Sequence, residues 1–163
     1  WSEIRMKLYI KQKLWSWKDK FTVKDEYGED RYTVEGEFFS LGRKLHVCDM
    51  AGREVVFIEQ ELMSWMPRYN VQVNGQDAAQ IAQKFAWFHP KYEIIGPDWT
   101  VEGDWWAHDY EVTSAQRGCV VRISKEWMTW GDSYELDIAD PADELLALAI
   151  VLTIDCVKAS QSN

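Results

Sequence analysis

The residues best suited to acid–base chemistry are three histidines and the acids near one of them. The histidines lie far apart in the sequence, and none shows the HxH or HExxH spacing of a metal site. One group collects acids around a histidine, namely Glu102, Asp104, His108 and Asp109. Strand alternation places Glu102 and Asp104 on an outward face, so we interpret this group as surface charge. With no phosphate loop, nucleophile elbow or dinucleotide fingerprint, the sequence predicts no catalytic residue, no cofactor and no enzyme.

Metal-binding chemistry has equally little support in the sequence. The three cysteines Cys48, Cys119 and Cys156 are an odd number without CxxC spacing, which indicates neither a disulfide framework nor a zinc site. The acid-rich segments 25–30 and 137–144 lack the ligand spacing of an EF-hand loop. We predict no metal, an acidic turn and a helix cap in those segments, and a reducing, cytoplasmic location.

A second chemical pattern is a periodic row of cations. Lys20, Lys44, Arg68 and Lys91 follow one another at intervals of 24, 24 and 23 residues. If equivalent strands carry them, they line one rim of a closed sheet, where they would hold a phosphate or an anionic lipid headgroup. The alternative interpretation is that they are solvated cations at strand ends, which favour solubility.

Large apolar side chains cluster near the same positions. The set comprises Trp15, Trp17, Trp65, Met66, Trp87, Phe88, Trp105, Trp106, Trp127 and Trp130. They are suited to a patch that contacts a membrane interface or a partner. They are also suited to closing one end of a barrel, and the sequence leaves both interpretations open.

A short sequence repeat positions these residues. Each copy has apolar residues 0, 4, 7, 11 and 13 positions after its first residue, and we call these positions offsets. In the first copy they are Ile10, Leu14, Trp17, Phe21 and Val23. The six copies begin at Ile10, Val34, Ile58, Ile81, Val101 and Ile123, and the copy at Val101 is shorter by two residues. Offsets 0, 4, 11 and 13 share one face of a strand, and the middle of each copy is turn-like. Each copy therefore predicts a β-hairpin, and six hairpins give about twelve antiparallel strands. Closing such a sheet into a barrel removes its exposed edges.

The end of the chain predicts a helix that must be enclosed. Asp140 and Pro141 form an N-cap and a first-turn proline, and the run from Leu145 to Ile154 has no polar stripe. The run is shorter than the roughly 20 residues that cross a bilayer, so we predict no transmembrane span. We expect it to fill the barrel as a core helix, with the inward residues Leu145, Leu146, Leu148, Ile150, Val151, Leu152 and Ile154.

Charge and length bound the remaining possibilities. The net charge of −9 excludes general nucleic-acid binding, although residues 1–24 hold seven basic and two acidic groups. At 163 residues, one domain is expected, which we place at residues 6–160. Residues 1–5 are interpreted as an extraneous leader or a start assigned too early, ahead of Met6.

Two long blocks, KLYIKQKLWSWKDKFTVKDEYGEDRYTVEGEFFSLGRKLHV and RISKEWMTWGDSYELDIADPADELLALAIVLTIDCV, closely resemble the LURP-one-related (LOR) family, in particular its bacterial YxjI-like branch. The resemblance extends from Met6 to Ala159. It implies a tubby-like fold, a twelve-stranded barrel around a hydrophobic helix, which tubby domains and phospholipid scramblases share. Tubby domains bind phosphoinositides and scramblases are associated with lipid and calcium, but none of their binding motifs matches here, so no site residue is carried over.

The function predicted from these observations is a non-catalytic intracellular binding or scaffold module. Its expected partner is an anionic membrane lipid, with the protein peripheral to the membrane, or another protein. The alternatives are a carrier that holds a small molecule inside the barrel and an enzyme whose site the sequence does not reveal. Oligomeric state is left open.

Overall fold

The computed structural model describes residues 5–11, 20–37, 42–85, 91–126 and 133–161. The described residues form twelve strands followed by a short 3₁₀ turn and one helix. The strands are β1 (Met6–Lys11), β2 (Phe21–Asp25), β3 (Asp30–Glu37), β4 (Lys44–Asp49), β5 (Glu54–Gln60), β6 (Arg68–Val73), β7 (Gln76–Lys84), β8 (Lys91–Ile95), β9 (Trp99–Asp104), β10 (Asp109–Ser114), β11 (Gly118–Glu126) and β12 (Ser133–Ile138). The 3₁₀ turn is Pro141–Asp143, and the helix α1 is Glu144–Gln161.

The strands pair in chain order, and β1 also pairs with β12, so the sheet is a closed antiparallel barrel. This confirms the predicted all-β class, the twelve strands and the six hairpins. The turns within hairpins lie at one end of the barrel, which we call the turn rim; its described residues include 42–43, 61–67, 85 and 105–108. The turns between hairpins, at 26–29, 50–53, 74–75, 96–98 and 115–117, form the opposite connection rim.

The sequence repeat also encodes the strand register. In every hairpin the first residue of the repeat, at offset 0, lies opposite the last one, at offset 13. In the shortened copy the last residue is at offset 11. The pairs are Ile10–Val23, Val34–Val47, Ile58–Val71, Ile81–Ile94, Val101–Val112 and Ile123–Leu136. All these residues except Val101 are fully buried or nearly so. The repeat therefore forms a belt of apolar pairs facing the lumen.

The connection turns follow the turn chemistry of their sequences. Asn74 and Gly75 have φ angles of 51° and 78° and join β6 to β7 in a two-residue loop. Positive φ at both positions is the requirement of a type I′ turn, whose twist matches that of the paired strands. The Asn-Gly sequence is typical of this turn.

One detail of the predicted inward face is wrong. Leu62 and Phe85, at offset 4, are exposed because β5 ends at Gln60 and β7 ends at Lys84, before the alternation reaches them. At Gly103 a side chain would meet the β10 backbone, since a Cβ atom would lie 2.7 Å from the Asp109 carbonyl oxygen. Glycine at this position therefore permits the close contact between β9 and β10.

The helix α1 occupies the lumen. Asp140 caps the preceding 3₁₀ turn by accepting a hydrogen bond from the Ala142 N–H, and Pro141 occupies the first turn. Leu148, Ile150, Val151, Leu152 and Ile154 have no exposed surface, whereas Leu145 and Leu146 are partly buried and pack on the core at the entrance. The prediction of an enclosed core helix is confirmed.

Polar contacts fix both ends of α1 against the wall. At the connection rim, Glu144 accepts hydrogen bonds from Arg31 at 3.0 Å and from the Tyr32 hydroxyl at 2.7 Å. At the turn rim, Arg43 donates to the Cys156 carbonyl at 2.9 Å. No helix in the described ranges combines the length and apolarity needed to cross a membrane.

Candidate functional site

The four periodic cations all lie at the turn rim. Lys20 directly precedes β2, and Lys44, Arg68 and Lys91 are the first residues of β4, β6 and β8. Even-numbered strands begin at this rim because each hairpin returns from its turn there. The regular spacing of the four cations in the sequence therefore places them at the same level along the barrel axis.

The cations do not converge on one point, however. An odd-numbered strand separates each from the next, so neighbouring cations are about 10 Å apart along the wall, and the row extends over about 30 Å. Glu35 lies 3.6 Å from the Lys20 ammonium, and Glu37 and Glu59 are the strand neighbours of Lys44. One phosphate group cannot reach all four cations, although a flat anionic surface can.

Exposed apolar side chains accompany the cations on three consecutive hairpins. They are Leu62, Met63 and Trp65 in the β5–β6 turn, Phe85 after β7, and Trp106 in the β9–β10 turn. Met63 and Trp65 are each 97% exposed. Large side chains that leave this much apolar surface in water on adjacent hairpins mark a contact surface. We call these five residues the apolar patch.

The predicted aromatic cluster is thus divided between two roles. Trp105 is buried beneath the rim and closes the barrel end, while Trp65 and Trp106 are exposed and Met66 is half-buried. The rest of that cluster, Trp15, Trp17, Trp87, Phe88, Trp127 and Trp130, lies outside the described residues.

Beneath the turn rim lies a buried polar cluster that sequence reasoning missed. Asp155 of α1 accepts the hydroxyl hydrogen of Tyr134, and its other oxygen lies 3.2 Å from His108 Nε2. The same nitrogen lies 3.2 Å from Lys158 Nζ, which also donates to the Trp106 carbonyl at 3.1 Å. The His108 ring stacks on Tyr134 with a centroid separation of 4.1 Å.

The location of His108 corrects the interpretation of its sequence neighbours. Glu102, Asp104 and Asp109 are exposed, as expected of surface charge, but His108 is buried. Its φ of 53° turns the chain so that the imidazole enters the lumen. A sequence signal was present in Asp155, since a charge within an enclosed helix requires a polar partner inside the barrel.

Burial shifts the pKa values of two members of this cluster. Burial raises the pKa of Tyr134 well above its usual range, and the negative charge of Asp155 adds to the shift, so the phenol remains a hydrogen-bond donor. Burial lowers the pKa of Lys158, with Asp155 acting in the opposite direction. The arrangement is suited to anchoring the C-terminal half of α1 to the wall.

The acid-rich segments use their carboxylates within the protein. Asp25 accepts hydrogen bonds from the backbone N–H groups of Tyr27 and Glu29, which forms a tight turn. Asp143 pairs with Arg117 at 2.8 Å. Among the residues that the structure describes, no group of three His, Cys, Asp or Glu side chains is arranged to hold a metal ion.

The cysteines are unpaired thiols in the structure. Cys48 and Cys119 are half-buried and Cys156 is buried in α1. Burial raises the pKa of the Cys156 thiol to about 12, which disfavours its reactive thiolate form.

Comparisons with known proteins agree with this architecture. The sequence profile of the family described as LURP-one-related matches residues 6–155. The uncharacterized protein YxjI of Bacillus subtilis (strain 168) is 38% identical over 152 residues, which cover 93% of this chain and 93% of that protein. An X-ray structure of an Arabidopsis thaliana protein superposes with a TM-score of 0.67 at 15% identity, covering 96% of this chain and 93% of that one, and supports the fold alone. The chain therefore belongs to the LURP-one-related family.

Proposed function

We propose that this protein is a non-catalytic intracellular module that docks its turn rim on the anionic lipid headgroups of a membrane. The observation that carries the proposal is the placement of the apolar patch and the predicted cations at the same end of the barrel. Arg68 and Lys91 begin strands of the hairpins that carry the patch, and Lys20 and Lys44 extend the row of cations around the rim.

The physical chemistry of the two residue classes fits an interface. Trp, Met, Phe and Leu side chains gain about 25 cal/mol for each Å² of apolar surface that leaves water. A Lys or Arg near an anionic membrane surface contributes about 1 kcal/mol. Neither class alone gives firm attachment, but together they bind a peripheral protein in a salt-dependent way.

The spacing of the cations favours a surface over a single ligand. Positive groups about 10 Å apart match headgroups of separate lipids better than they match one phosphate. The net charge of −9 means that attraction must come from this rim, with the rest of the barrel facing away from the membrane.

The two alternatives have weaker support. A carrier needs lumen space, and α1 occupies the lumen with side chains that have no exposed surface. An enzyme needs accessible titratable groups, and His108 and Asp155 are buried and engaged with each other. The contact between His108 and Asp155 anchors α1 to the barrel wall, which is sufficient to explain it.

Flotation with vesicles of phosphatidylcholine and phosphatidylglycerol, with and without a phosphoinositide, tests the proposal. We expect wild-type protein to float at low salt and to dissociate as salt rises. Replacing Lys20, Lys44, Arg68 and Lys91 together by Ala should abolish flotation, and the Met63→Ser/Trp65→Ser variant should weaken it at every salt concentration.

Matched controls come from the connection rim, where Met50 and Arg53 are exposed. The Met50→Ser and Arg53→Gln variants should float like wild type. Failure of the wild-type protein to float at low salt, or equal flotation of the turn-rim variants, would refute the proposal.

A further inference from the structure

The barrel wall opens between β8 and β9. These strands share only two paired positions, Glu93–Thr100 and Ile94–Trp99, which lie next to their connecting turn. Beyond them toward the turn rim the ladder stops, although β8 remains paired with β7 and β9 with β10. A cavity of about 550 Å³ occupies the gap, and we call it the lateral cleft.

The size and lining of the lateral cleft are those of a small-molecule site. Pockets that bind such ligands typically have volumes of roughly 300–1,000 Å³ and apolar walls with a few polar groups. Tyr92, Val101 and Trp105 are inward residues that the open ladder makes part of the cleft lining. The rings of Tyr92 and Trp105 meet edge to face at 5.3 Å, which gives the cleft an aromatic floor.

A buried hydroxyl in this floor lacks a partner. Tyr92 is 4% exposed, and its hydroxyl oxygen has no hydrogen-bond partner among the described residues. Because this oxygen has essentially no accessible surface, the part of Tyr92 that faces the cleft is its ring and not its hydroxyl group.

The two lips of the lateral cleft carry opposite charges. If the ladder continued, Lys91 of β8 would lie opposite Glu102 of β9, by extension of the Glu93–Thr100 register. Both line the cleft and both are exposed, yet they form no ion pair with each other. The second cation of the lining, Lys84, is already paired with Glu93 at 2.6 Å. Apart from the Lys84–Glu93 ion pair, the cleft lining thus has one positive and one negative group, on opposite sides of an aromatic floor.

We infer that the lateral cleft binds a small zwitterion with an apolar body, whose anionic group contacts Lys91 and whose ammonium group contacts Glu102. The apolar body lies on Tyr92 and Trp105. Two sources share this chemistry, namely a free amino acid with an apolar side chain and the headgroup region of a zwitterionic phospholipid. The inference does not require membrane docking, although Lys91 takes part in both.

Three probes with one phenyl body test the charge assignment. Binding of L-phenylalanine, 3-phenylpropionate and 2-phenylethylamine is followed by NMR shifts of residues in the cleft. L-Phenylalanine should bind more tightly than either single-charge probe. Because an exposed ion pair contributes up to about 1 kcal/mol, each lip substitution should weaken binding roughly two- to fivefold.

Each lip substitution should weaken only the probes that carry the opposite charge. Lys91→Gln should weaken L-phenylalanine and 3-phenylpropionate but not 2-phenylethylamine, whereas Glu102→Gln should weaken L-phenylalanine and 2-phenylethylamine but not 3-phenylpropionate. Arg53→Gln and Glu29→Gln are matched controls at exposed positions of the connection rim, away from the cleft, and should change nothing.

A parallel titration with monomeric dihexanoylphosphatidylethanolamine distinguishes the two sources. Binding of this lipid alone, weakened by both lip substitutions, would identify a phospholipid; binding of L-phenylalanine with the pattern above would identify an amino acid. Absence of binding by all probes, or equal effects of lip and control variants, would overturn the inference. Flotation of Met63→Ser/Trp65→Ser reports separately on membrane docking.

Discussion

Tyr134 of β12 donates its hydroxyl hydrogen to Asp155 of α1 and so joins the barrel wall to the helix inside it. The acceptor is a carboxylate in a site that water does not reach, since both side chains are buried. A hydrogen bond to a charged group contributes about 1.5–3 kcal/mol to stability.

We therefore expect Tyr134→Phe to lower the free energy of unfolding by about 2 kcal/mol, because the ring is kept and only the donor is lost. Urea denaturation with an unchanged m-value measures the loss. The matched control is Tyr110→Phe, since the Tyr110 hydroxyl is buried with no partner among the described residues. Its removal should leave stability unchanged or raise it; a loss at Tyr110 as large as that at Tyr134 would contradict the assignment.

Asp155 is also the acid that offsets the buried ammonium of Lys158. Replacing Asp155 by Asn removes the negative charge that lies inside the barrel beside Lys158, so we expect a loss of about 3 kcal/mol, within the range for breaking a buried charge pair. The double variant Asp155→Asn/Lys158→Met should be more stable than the sum of the single losses predicts, by about 1 kcal/mol. Strict additivity in thermal or urea unfolding would show that the two side chains are not coupled.

His46 on the outer wall gives the protein a pH dependence of known sign. Burial acts to lower the pKa of His46, but hydrogen bonds to Glu54 and Glu37 outweigh it and raise that pKa above 6.5. The imidazolium is therefore favoured in the folded state, so its contribution is complete below pH 6.5 and is lost as pH rises through the folded pKa.

The corresponding measurement compares wild type with His46→Gln from pH 5.5 to 8.5. The difference in unfolding free energy should favour wild type most at the acidic end, by less than about 1 kcal/mol, and should shrink toward pH 8.5. A difference that is constant with pH, or that grows toward alkaline pH, would contradict the sign.

The core helix predicts a further contrast between buried and exposed apolar residues. Ile150 has no exposed surface, so Ile150→Ala should lower the free energy of unfolding by about 2–5 kcal/mol, through lost burial and the cavity left behind. Leu62→Ala, at an exposed position of the turn rim, should change stability by less than about 0.5 kcal/mol. Similar losses at both positions in urea denaturation would show that Ile150 is not a core residue.

The sequence alone determined the barrel and the helix within it. Apolar residues in a fixed repeat, such as Ile58 and Val71, specify both the strand face and the register. A register shifted by one residue would turn these side chains from the lumen to the outer face. Asp140 and Pro141 mark the beginning of the terminal helical segment, and the lack of a polar stripe requires that the helix be enclosed.

Only the tertiary structure decided which side chains meet across the lumen and where the wall opens. His108 and Asp155 are 47 positions apart in sequence, and their contact depends on a left-handed turn and on the depth of α1. Similarly, the ladder between β8 and β9 stops after two pairs, although local residue patterns predict a continuous hairpin wall. Periodicity is a local property of the chain, whereas the closure of a barrel and its gaps depend on the packing of all the strands around one helix.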